Sequence, residues 1–391
     1  MTKVPRTLTG AILSMSLLTV MAGAAIAPAL GSIKEHFSSS PDILIQLIVS
    51  IPALFIILTN LLFPALSRTL DTRTIALVGL AMYVVFGSGA FFVGNIVALL
   101  LLRALLGVSV GLIMPLSTGL LSFYFPPEKL SSLMGLSAAM NQLGGVVATL
   151  LAGLLCNISW NCAFLVYLLG LVAVLLVLRF LPAERLMGKG SRISPSTLLR
   201  FHPSVVGMLL VMIIFFVYPT NFALVARRST SLSGNAITLI MVGLDVVAFL
   251  VGLVFGRMMA HFPRPMKYIA PSLFLLGYAV MAFFEGAAAL VAGSVLVGLA
   301  NGVGVPYLNT IASIKGGRDA ATTVMPLLSA ALYLGQFVSP FVVLPLGRLL
   351  FPGDGLAPFK VAVLLCGVLL AQVYLTRSRQ ALPPSSVRLD D

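Results

Sequence analysis

Residues 102–115 read LRALLGVSVGLIMP, an apolar stretch that contains one arginine and the spaced residues Gly107, Gly111 and Pro115. The same three residue types return with the same spacing 191 positions further on, at Gly298, Gly302 and Pro306. That offset also relates three more pairs, which are Pro28 and Pro219, Leu143 and Leu334, and Gly144 and Gly335. Because the offset is close to half of the 391 residues, the sequence predicts a duplicated unit.

The composition indicates that both copies lie in a membrane. Hydrophobic residues make up 59% of the chain and charged residues 9%, with a mean hydropathy of +1.10, whereas a soluble domain carries about 25% charged residues. Runs of roughly 20 apolar residues cross a bilayer as helices, which satisfy their own backbone hydrogen bonds in lipid. We therefore expect an all-α membrane protein with twelve transmembrane helices in two six-helix halves, at residues 8–31, 43–66, 74–93, 96–119, 131–155, 161–181, 204–226, 236–259, 267–285, 287–311, 321–346 and 358–376.

The basic residues predict the orientation. Most of the 24 lysines and arginines fall in segments on the same side of the predicted spans as the N-terminus, so the positive-inside rule places both termini in the cytoplasm. The chain would then cross a bacterial inner membrane, with residues 1–181 and 204–391 as halves and 182–203 as a cytoplasmic linker loop. The net charge of +13 fits contact with anionic lipid and is no evidence for nucleic-acid binding.

Several segments carry a resemblance to a known family. The stretch Leu102–Gly107, followed by Gly111, is similar to the arginine-glycine signature of the major facilitator superfamily. Residues 141–153 and 334–340 resemble patterns of its drug:proton antiporter branch. The resemblance implies two six-helix halves that export drug-like compounds by proton-coupled alternating access, without an enzyme activity.

Two positions depart from the family pattern. In the loop after the second span, Arg68 stands where the family carries an acidic residue, and Asp71 follows three positions later. In the fifth span, Ala148 and Thr149 replace the glycine-proline pair of the antiporter branch. The second departure weakens the expectation of antiport more than that of transport.

Two charged residues lie well inside the predicted spans, where a charge is costly unless it faces a partner or a cavity. Arg103 would bind an anion or assist proton transfer, or else it would hydrogen-bond to carbonyls of adjacent helices; the resemblance implies a coupling role. Asp245 is the only carboxylate well inside a predicted span, since Glu285 lies at the outer end of the ninth, so Asp245 is the candidate proton carrier. Its alternative role is that of an aspartate that snorkels or caps a helix near the membrane surface.

Polar residues on the predicted cavity-lining spans are candidates for binding substrate, and each could equally bridge helices. They are Asn141, Gln142, Tyr218, Asn221, Asn301, Tyr307, Asn309, Tyr333 and Gln336. We expect the repeated glycines and prolines to serve helix packing and bending. They are Gly107, Gly111 and Pro115 in the first half and Gly298, Gly302 and Pro306 in the second.

Other classes of function find little support in the sequence. The chain has three histidines and three cysteines without the spacing of a metal site, no phosphate-binding glycine loop and no nucleophile-base set. We expect no metal and no cofactor, and a monomer whose partners are a small substrate, protons and lipid. The alternatives are a transporter of a defined metabolite, such as a sugar or organic anion, and a non-transporting membrane sensor or scaffold.

Overall fold

The computed structural model describes residues 6–125, 127–184, 195–262, 265–316 and 324–376, and within these ranges the chain is helical without a β-strand. The α-helices are α1 (Arg6–Ala24), α2 (Leu30–His36), α3 (Asp42–Thr69), α4 (Thr72–Gly89), α5 (Ile96–Tyr124), α6 (Pro127–Cys156), α7 (Gly170–Phe180), α8 (Pro195–Ser229), α9 (Gly234–His261), α10 (Met266–Phe283), α11 (Ala287–Gly316), α12 (Met325–Leu350) and α13 (Ala357–Leu375).

The expected fold class is confirmed, since twelve segments are long and apolar enough to span a membrane. We number them spans 1 to 12: Thr7–His36, Asp42–Phe63, Thr72–Phe92, Ile96–Leu121, Leu136–Cys156, Trp160–Phe180, Phe201–Ser229, Gly234–Met259, Met266–Phe283, Ala287–Ala312, Leu327–Leu350 and Ala357–Leu375.

Two spans are not uninterrupted α-helices. In span 1 a 3₁₀ turn at Ala27–Ala29, which contains Pro28, separates α1 from α2. In span 6 the first part, Trp160–Leu169, is a 3₁₀ helix that continues into α7. Because a helix that ends leaves its last carbonyls without intrahelical donors, the break in span 1 makes carbonyls of α1 available to other helices.

The chain forms two compact units. Unit 1 comprises Met1–Gly190 with Ser233–Val242, and unit 2 comprises Ser191–Leu232 with Gly243–Asp391. The start of span 8 therefore belongs with the first unit. Helix α8 begins at Pro195, inside the stretch expected to be a linker, and residues 185–194 of that linker lie outside the described residues. The division at 182–203 stays a prediction.

Glycines bring helix backbones of unit 1 into contact. Gly107 of span 4 lies against the backbone of Pro52 in span 2, and a Cβ atom there would clash with its carbonyl oxygen. Gly144 of span 5 lies in the same way against the carbonyl of Leu17 in span 1. At Gly111 a Cβ atom would lie 2.6 Å from the Cβ of Thr59. Spans 2 and 4 and spans 1 and 5 thus pack without an intervening side chain.

The same contacts recur in unit 2 at the repeated glycines. A Cβ atom on Gly298 of span 10 would lie 2.7 Å from the carbonyl oxygen of Leu244 in span 8. On Gly302 it would lie 2.7 Å from that of Ala248. Gly335 of span 11 meets the carbonyl of Leu209 in span 7 at 2.7 Å. The internal repeat in the sequence is therefore a repeat of backbone contacts between corresponding helices.

Two ion pairs and one aromatic stack lie at the short connections between spans. The Lys34 ammonium lies 2.9 Å from the Asp42 carboxylate, and Lys360 pairs with Asp354 at 2.5 Å. The His36 ring stacks on Trp160 with ring centroids 4.7 Å apart. These contacts tie the end of span 1 to the starts of spans 2 and 6 and close the connection between spans 11 and 12.

Candidate functional site

Arg103 lies at the centre of unit 1 and is only 1% exposed. Its Nε donates to the carbonyl of Ile48 in span 2 at 2.6 Å, and its Nη2 donates to the carbonyl of Ala22 in span 1 at 2.7 Å. Its Nη1 donates to the hydroxyl of Tyr167 in span 6 at 2.6 Å. Among the described residues it has no ion pair. The guanidinium therefore joins four helices through neutral oxygen atoms.

The backbone explains why these carbonyls accept hydrogen bonds from a side chain. Pro52 has no N–H to give to the carbonyl of Ile48, four residues earlier in α3. Ala22 lies in the last turn of α1, ahead of the 3₁₀ break, where helix carbonyls lack donors and carry a partial negative charge. Arg103 donates to both of these carbonyls. Its planar guanidinium is positively charged and holds its N–H donors in a fixed arrangement, so it can reach both acceptors at once.

Two tyrosines surround this arginine, and the sequence analysis did not single them out. Tyr167 also donates to the carbonyl of Ala22 at 3.0 Å, and its ring meets that of Tyr83 edge to face, with centroids 5.4 Å apart. Gly87 makes room for Tyr167, because a Cβ atom there would lie 2.6 Å from that side chain. The hydroxyl of Tyr83 is buried and has no hydrogen-bond partner among the described residues.

Asp245 lies near the middle of span 8 and is half-buried. Its carboxylate acts electrostatically on the hydroxyl of Tyr218 in span 7, which is 2% exposed. Tyr218 and Ser294 of span 10 share a hydrogen bond of 2.8 Å, and Ser294 donates to the carbonyl of Leu290 at 2.6 Å. Because Ser294 uses its proton on Leu290, Tyr218 is the donor to Ser294. A phenol of span 7 and a serine of span 10 thus share a hydrogen bond, within electrostatic range of an acid of span 8.

The remaining predicted polar residues occupy different surroundings. Asn141 accepts a hydrogen bond of 2.9 Å from Thr19, which bridges spans 5 and 1. Asn221 is buried and donates to Val217 of its own helix at 2.9 Å. Tyr307 lines a crevice within unit 2. Gln336 is buried. The other four are half-buried: Gln142, Asn301, Asn309 and Tyr333. Pro115 and Pro306 lie inside α5 and α11.

A metal centre has no visible basis in the ranges that the structure describes, where no three histidine, cysteine or acidic side chains come together. The chemistry of the site is instead that of one fixed cation in unit 1 and one carboxylate beside hydroxyl groups in unit 2.

Comparison with known families identifies this arrangement. The sequence model of the Major Facilitator Superfamily matches residues 12–340. The chain belongs to the major facilitator superfamily. Members of this superfamily transport small molecules across membranes, so the chain has a transporter fold rather than that of an enzyme. No curated protein sequence matches it.

Solved structures of major facilitator proteins have the same fold. A bacterial homolog to the human lysosomal transporter Spinster, inward-facing and unoccupied, is 15% identical with a TM-score of 0.77, over 97% of this chain and 98% of that chain. The nucleoside transporter NupG is 14% identical with a TM-score of 0.74, over 96% of this chain and 100% of that chain. At these identities the likeness shows the fold, and the substrates of those transporters are their own.

Proposed function

We propose that this protein is a secondary active transporter that exports small, largely apolar compounds in exchange for protons, by alternating access. It crosses a bacterial inner membrane with both termini in the cytoplasm. The observation that carries the proposal is Asp245, a half-buried carboxylate in the middle of span 8 whose charge acts on the hydroxyl of Tyr218.

A carboxylate in this position suits a proton carrier. In the described spans, other acidic residues occur only at the ends, as Glu35 and Asp42 do. A charged side chain inside the bilayer costs about 3 kcal/mol on insertion scales. Such a residue is therefore expected only where its charge has a function. Loss of that charge on protonation would change the interactions of the Tyr218 hydroxyl.

The position of Asp245 in the helix packing provides a route from proton binding to helix movement. Asp245 follows Leu244, whose carbonyl meets Gly298 of span 10. Ser294, which accepts the hydrogen bond of Tyr218, lies one helical turn before Gly298. A change of charge at Asp245 would therefore act on the contacts that hold spans 7, 8 and 10 together, and would shift the balance between conformations.

Arg103 assists coupling, in this proposal, by keeping spans 1, 2, 4 and 6 of unit 1 as one body. Its donors are directed to the carbonyls of Ala22 and Ile48 and to the hydroxyl of Tyr167. We assign substrate contacts to the half-buried polar residues of the predicted set and to Gln336. The half-buried ones are Asn141, Gln142, Asn301, Asn309 and Tyr333.

A second candidate is transport of a defined metabolite such as a sugar or organic anion. It is favoured by span 1, which has no acidic residue before Glu35 at its end, whereas exporters of cationic drugs often place one there. Recognition of an anion by Arg103 is disfavoured, because its guanidinium is only 1% exposed and is engaged on each nitrogen.

The deciding experiment measures proton flux in proteoliposomes that contain a pH-sensitive dye, challenged with cationic dyes, neutral drugs, sugars and organic anions. We expect drug-evoked proton movement in the wild type and its loss in Asp245→Asn. Glu285→Gln is the matched control, since Glu285 is an exposed acid outside the spans. Substrate movement without proton movement in the wild type would reject the antiport mechanism, and a response to sugars or organic anions alone would favour the second candidate.

A further inference from the structure

A crevice in unit 2 opens between spans 7, 9, 10 and 12, at the end where span 9 begins and span 12 finishes. Its walls are largely apolar and include Val211, Ala270, Leu308, Leu369 and Val373. The crevice is narrow between its walls and open at its mouth; the space between the wall atoms, together with the solvent at the mouth, is about 350 Å³. It is separate from the cluster around Asp245, and neither the family match nor the proposed function assigns it a ligand.

Three polar groups line this apolar crevice. The amide oxygen of Gln372 is buried without a hydrogen-bond partner in the described part of the chain, while its Nε2 donates to the carbonyl of Pro203 at 3.0 Å. Because the nitrogen of the Gln372 amide is the donor to Pro203, its oxygen is the atom that remains to accept a hydrogen bond. The side chain of Gln372 borders Gly207, which provides room beside the amide oxygen. A buried acceptor in this state costs free energy until a donor reaches it.

The second and third polar groups have capacity to bind as well. Tyr307 is 7% exposed, and its hydroxyl makes no hydrogen bond to the residues that the structure describes. Lys267 forms no ion pair within the described ranges, and its ammonium lies 5.0 Å from the centre of the Tyr268 ring. The crevice thus offers a cation, a hydroxyl and an acceptor beside an apolar wall.

We propose that this crevice binds an anionic phospholipid with a phosphoglycerol head group. The phosphate lies at Lys267 and Tyr307, a glycerol hydroxyl donates to the amide oxygen of Gln372, and an acyl chain follows the apolar wall. A free anion would gain only the contact with Lys267 and would leave the apolar surface uncovered. A zwitterionic lipid without hydroxyl groups would leave Gln372 unsatisfied.

The position of the crevice agrees with this ligand. The basic residues of the sequence predict that the ends of spans 9 and 12 at this crevice lie on the cytoplasmic side, where anionic lipids accumulate. The matching end of unit 1 is closed by its own chain. There the N–H of Thr72 donates to the carbonyl of Glu184 at 2.8 Å, and Arg73 donates to the carbonyl of Leu178 at 2.5 Å.

The test measures lipid binding to the purified full-length protein by native mass spectrometry and by the shift of melting temperature. The lipids are phosphatidylglycerol and phosphatidylcholine, and glycerol phosphate serves as the head group alone. The variants are Lys267→Gln and Tyr307→Phe. Arg257→Gln is the matched control, because it removes a positive charge from the exposed end of span 8, which joins span 9 at the same side.

We expect one tightly held phosphatidylglycerol in the wild type and in Arg257→Gln, and an affinity about fivefold lower in Lys267→Gln. Tyr307→Phe, which keeps the ring, should weaken phosphatidylglycerol specifically. Three results would overturn the proposal: equal binding of phosphatidylcholine, equal stabilisation by glycerol phosphate, or the same loss in Arg257→Gln as in Lys267→Gln. A variant that unfolds in detergent is recognised by its melting temperature without lipid, and Lys267→Arg, which should retain binding, then decides.

Discussion

Arg103 and Ser294 occupy equivalent positions of the two repeats, 191 residues apart. Arg103 joins the helices of unit 1 with three hydrogen bonds from one guanidinium. Ser294 holds Tyr218 and the carbonyl of Leu290 with one hydroxyl. The duplicated frame therefore contains a fixed cation in one half and a neutral hydroxyl pair beside a carboxylate in the other.

Replacement of Arg103 should destabilise unit 1 even when the charge is kept. In Arg103→Lys a single ammonium replaces the planar fork, so it cannot reach the carbonyls of Ala22 and Ile48 and the hydroxyl of Tyr167 together. Since hydrogen bonds to charged groups contribute about 1.5–3 kcal/mol each, we expect a loss on the order of 3 kcal/mol. Thermal unfolding in detergent measures it, with the exposed Arg257→Lys as control. An unchanged melting temperature would mean that the three bonds do not hold the helices together.

Loss of the hydroxyl should destabilise the protein at Tyr167 but not at Tyr83, the two tyrosines near Arg103. Tyr167→Phe removes a bond to Ala22 and one from Arg103, with an expected loss of about 1–3 kcal/mol. Tyr83→Phe removes a buried hydroxyl that has no partner in the described residues, so stability should stay the same or rise. Both variants keep the aromatic contact, and melting temperatures compare them directly. Marked destabilisation by Tyr83→Phe would show that its hydroxyl has a partner, such as an internal water.

Alanine at the repeated glycines should separate helices in both units. The added Cβ atom meets the backbone of Pro52 in Gly107→Ala and that of Leu244 in Gly298→Ala, and backbone cannot move aside as a flexible side chain can. We expect losses of about 1–3 kcal/mol, as in other overpacked interiors. Gly252→Ala is the control, since its Cβ atom would meet nothing within 4 Å. Unfolding in detergent should place both contact variants below wild type and the control at or slightly above it.

The connection between spans 11 and 12 should lose stability in acid. The hydrogen bond from Lys360 lowers the pKa of the Asp354 carboxyl below its ordinary 3.8, against a weaker opposing effect of burial, and the N–H of Leu356 adds to the lowering. A lowered folded pKa means that the stabilisation is complete above the ordinary value and disappears as pH falls through the folded one.

Melting curves of wild type and Asp354→Asn measure this contribution. The difference in melting temperature should be constant from pH 7 to about 5 and should shrink below about 4, as the wild-type carboxyl takes up a proton. The Lys34 and Asp42 pair is present in both proteins, so its own titration cancels. A difference that grows in acid would contradict the assignment.

The helical architecture of this protein could be predicted from the sequence, because it depends on long apolar runs and on an internal repeat. Long apolar runs gave the twelve spans, and the spacing of Gly107 and Gly298 marked helix contacts that the structure places at Pro52 and Leu244. The backbone hydrogen-bond partners of Arg103 could not be predicted from the sequence, since every residue carries a carbonyl oxygen. One signal was present all the same: Pro52 stands four residues after Ile48 and leaves its carbonyl without a donor.

A proline also accompanies an interhelical contact in unit 2 that could not be predicted from the sequence. Pro219 leaves the carbonyl of Phe215 without a helical donor. Tyr278 of span 9 approaches that carbonyl at 3.4 Å and donates to the neighbouring carbonyl of Ile214 at 2.7 Å. In unit 1 the tyrosine that donates to a backbone carbonyl, Tyr167, comes from span 6. In each unit a tyrosine thus donates to a backbone carbonyl of the first span, span 1 or span 7, but the two tyrosines come from helices that do not correspond, so the offset alone could not locate them.

Trp160, stacked on His36 at the start of span 6, is the only tryptophan in the chain. When the excitation wavelength is chosen so that the nine tyrosines do not absorb, the fluorescence of the unlabelled protein therefore comes from one known place. The adjoining imidazole ring makes that emission sensitive to the distance between the end of span 1 and the start of span 6. Any rearrangement that separates the two rings during a transport cycle can be followed optically in the native sequence, without the introduction of a dye.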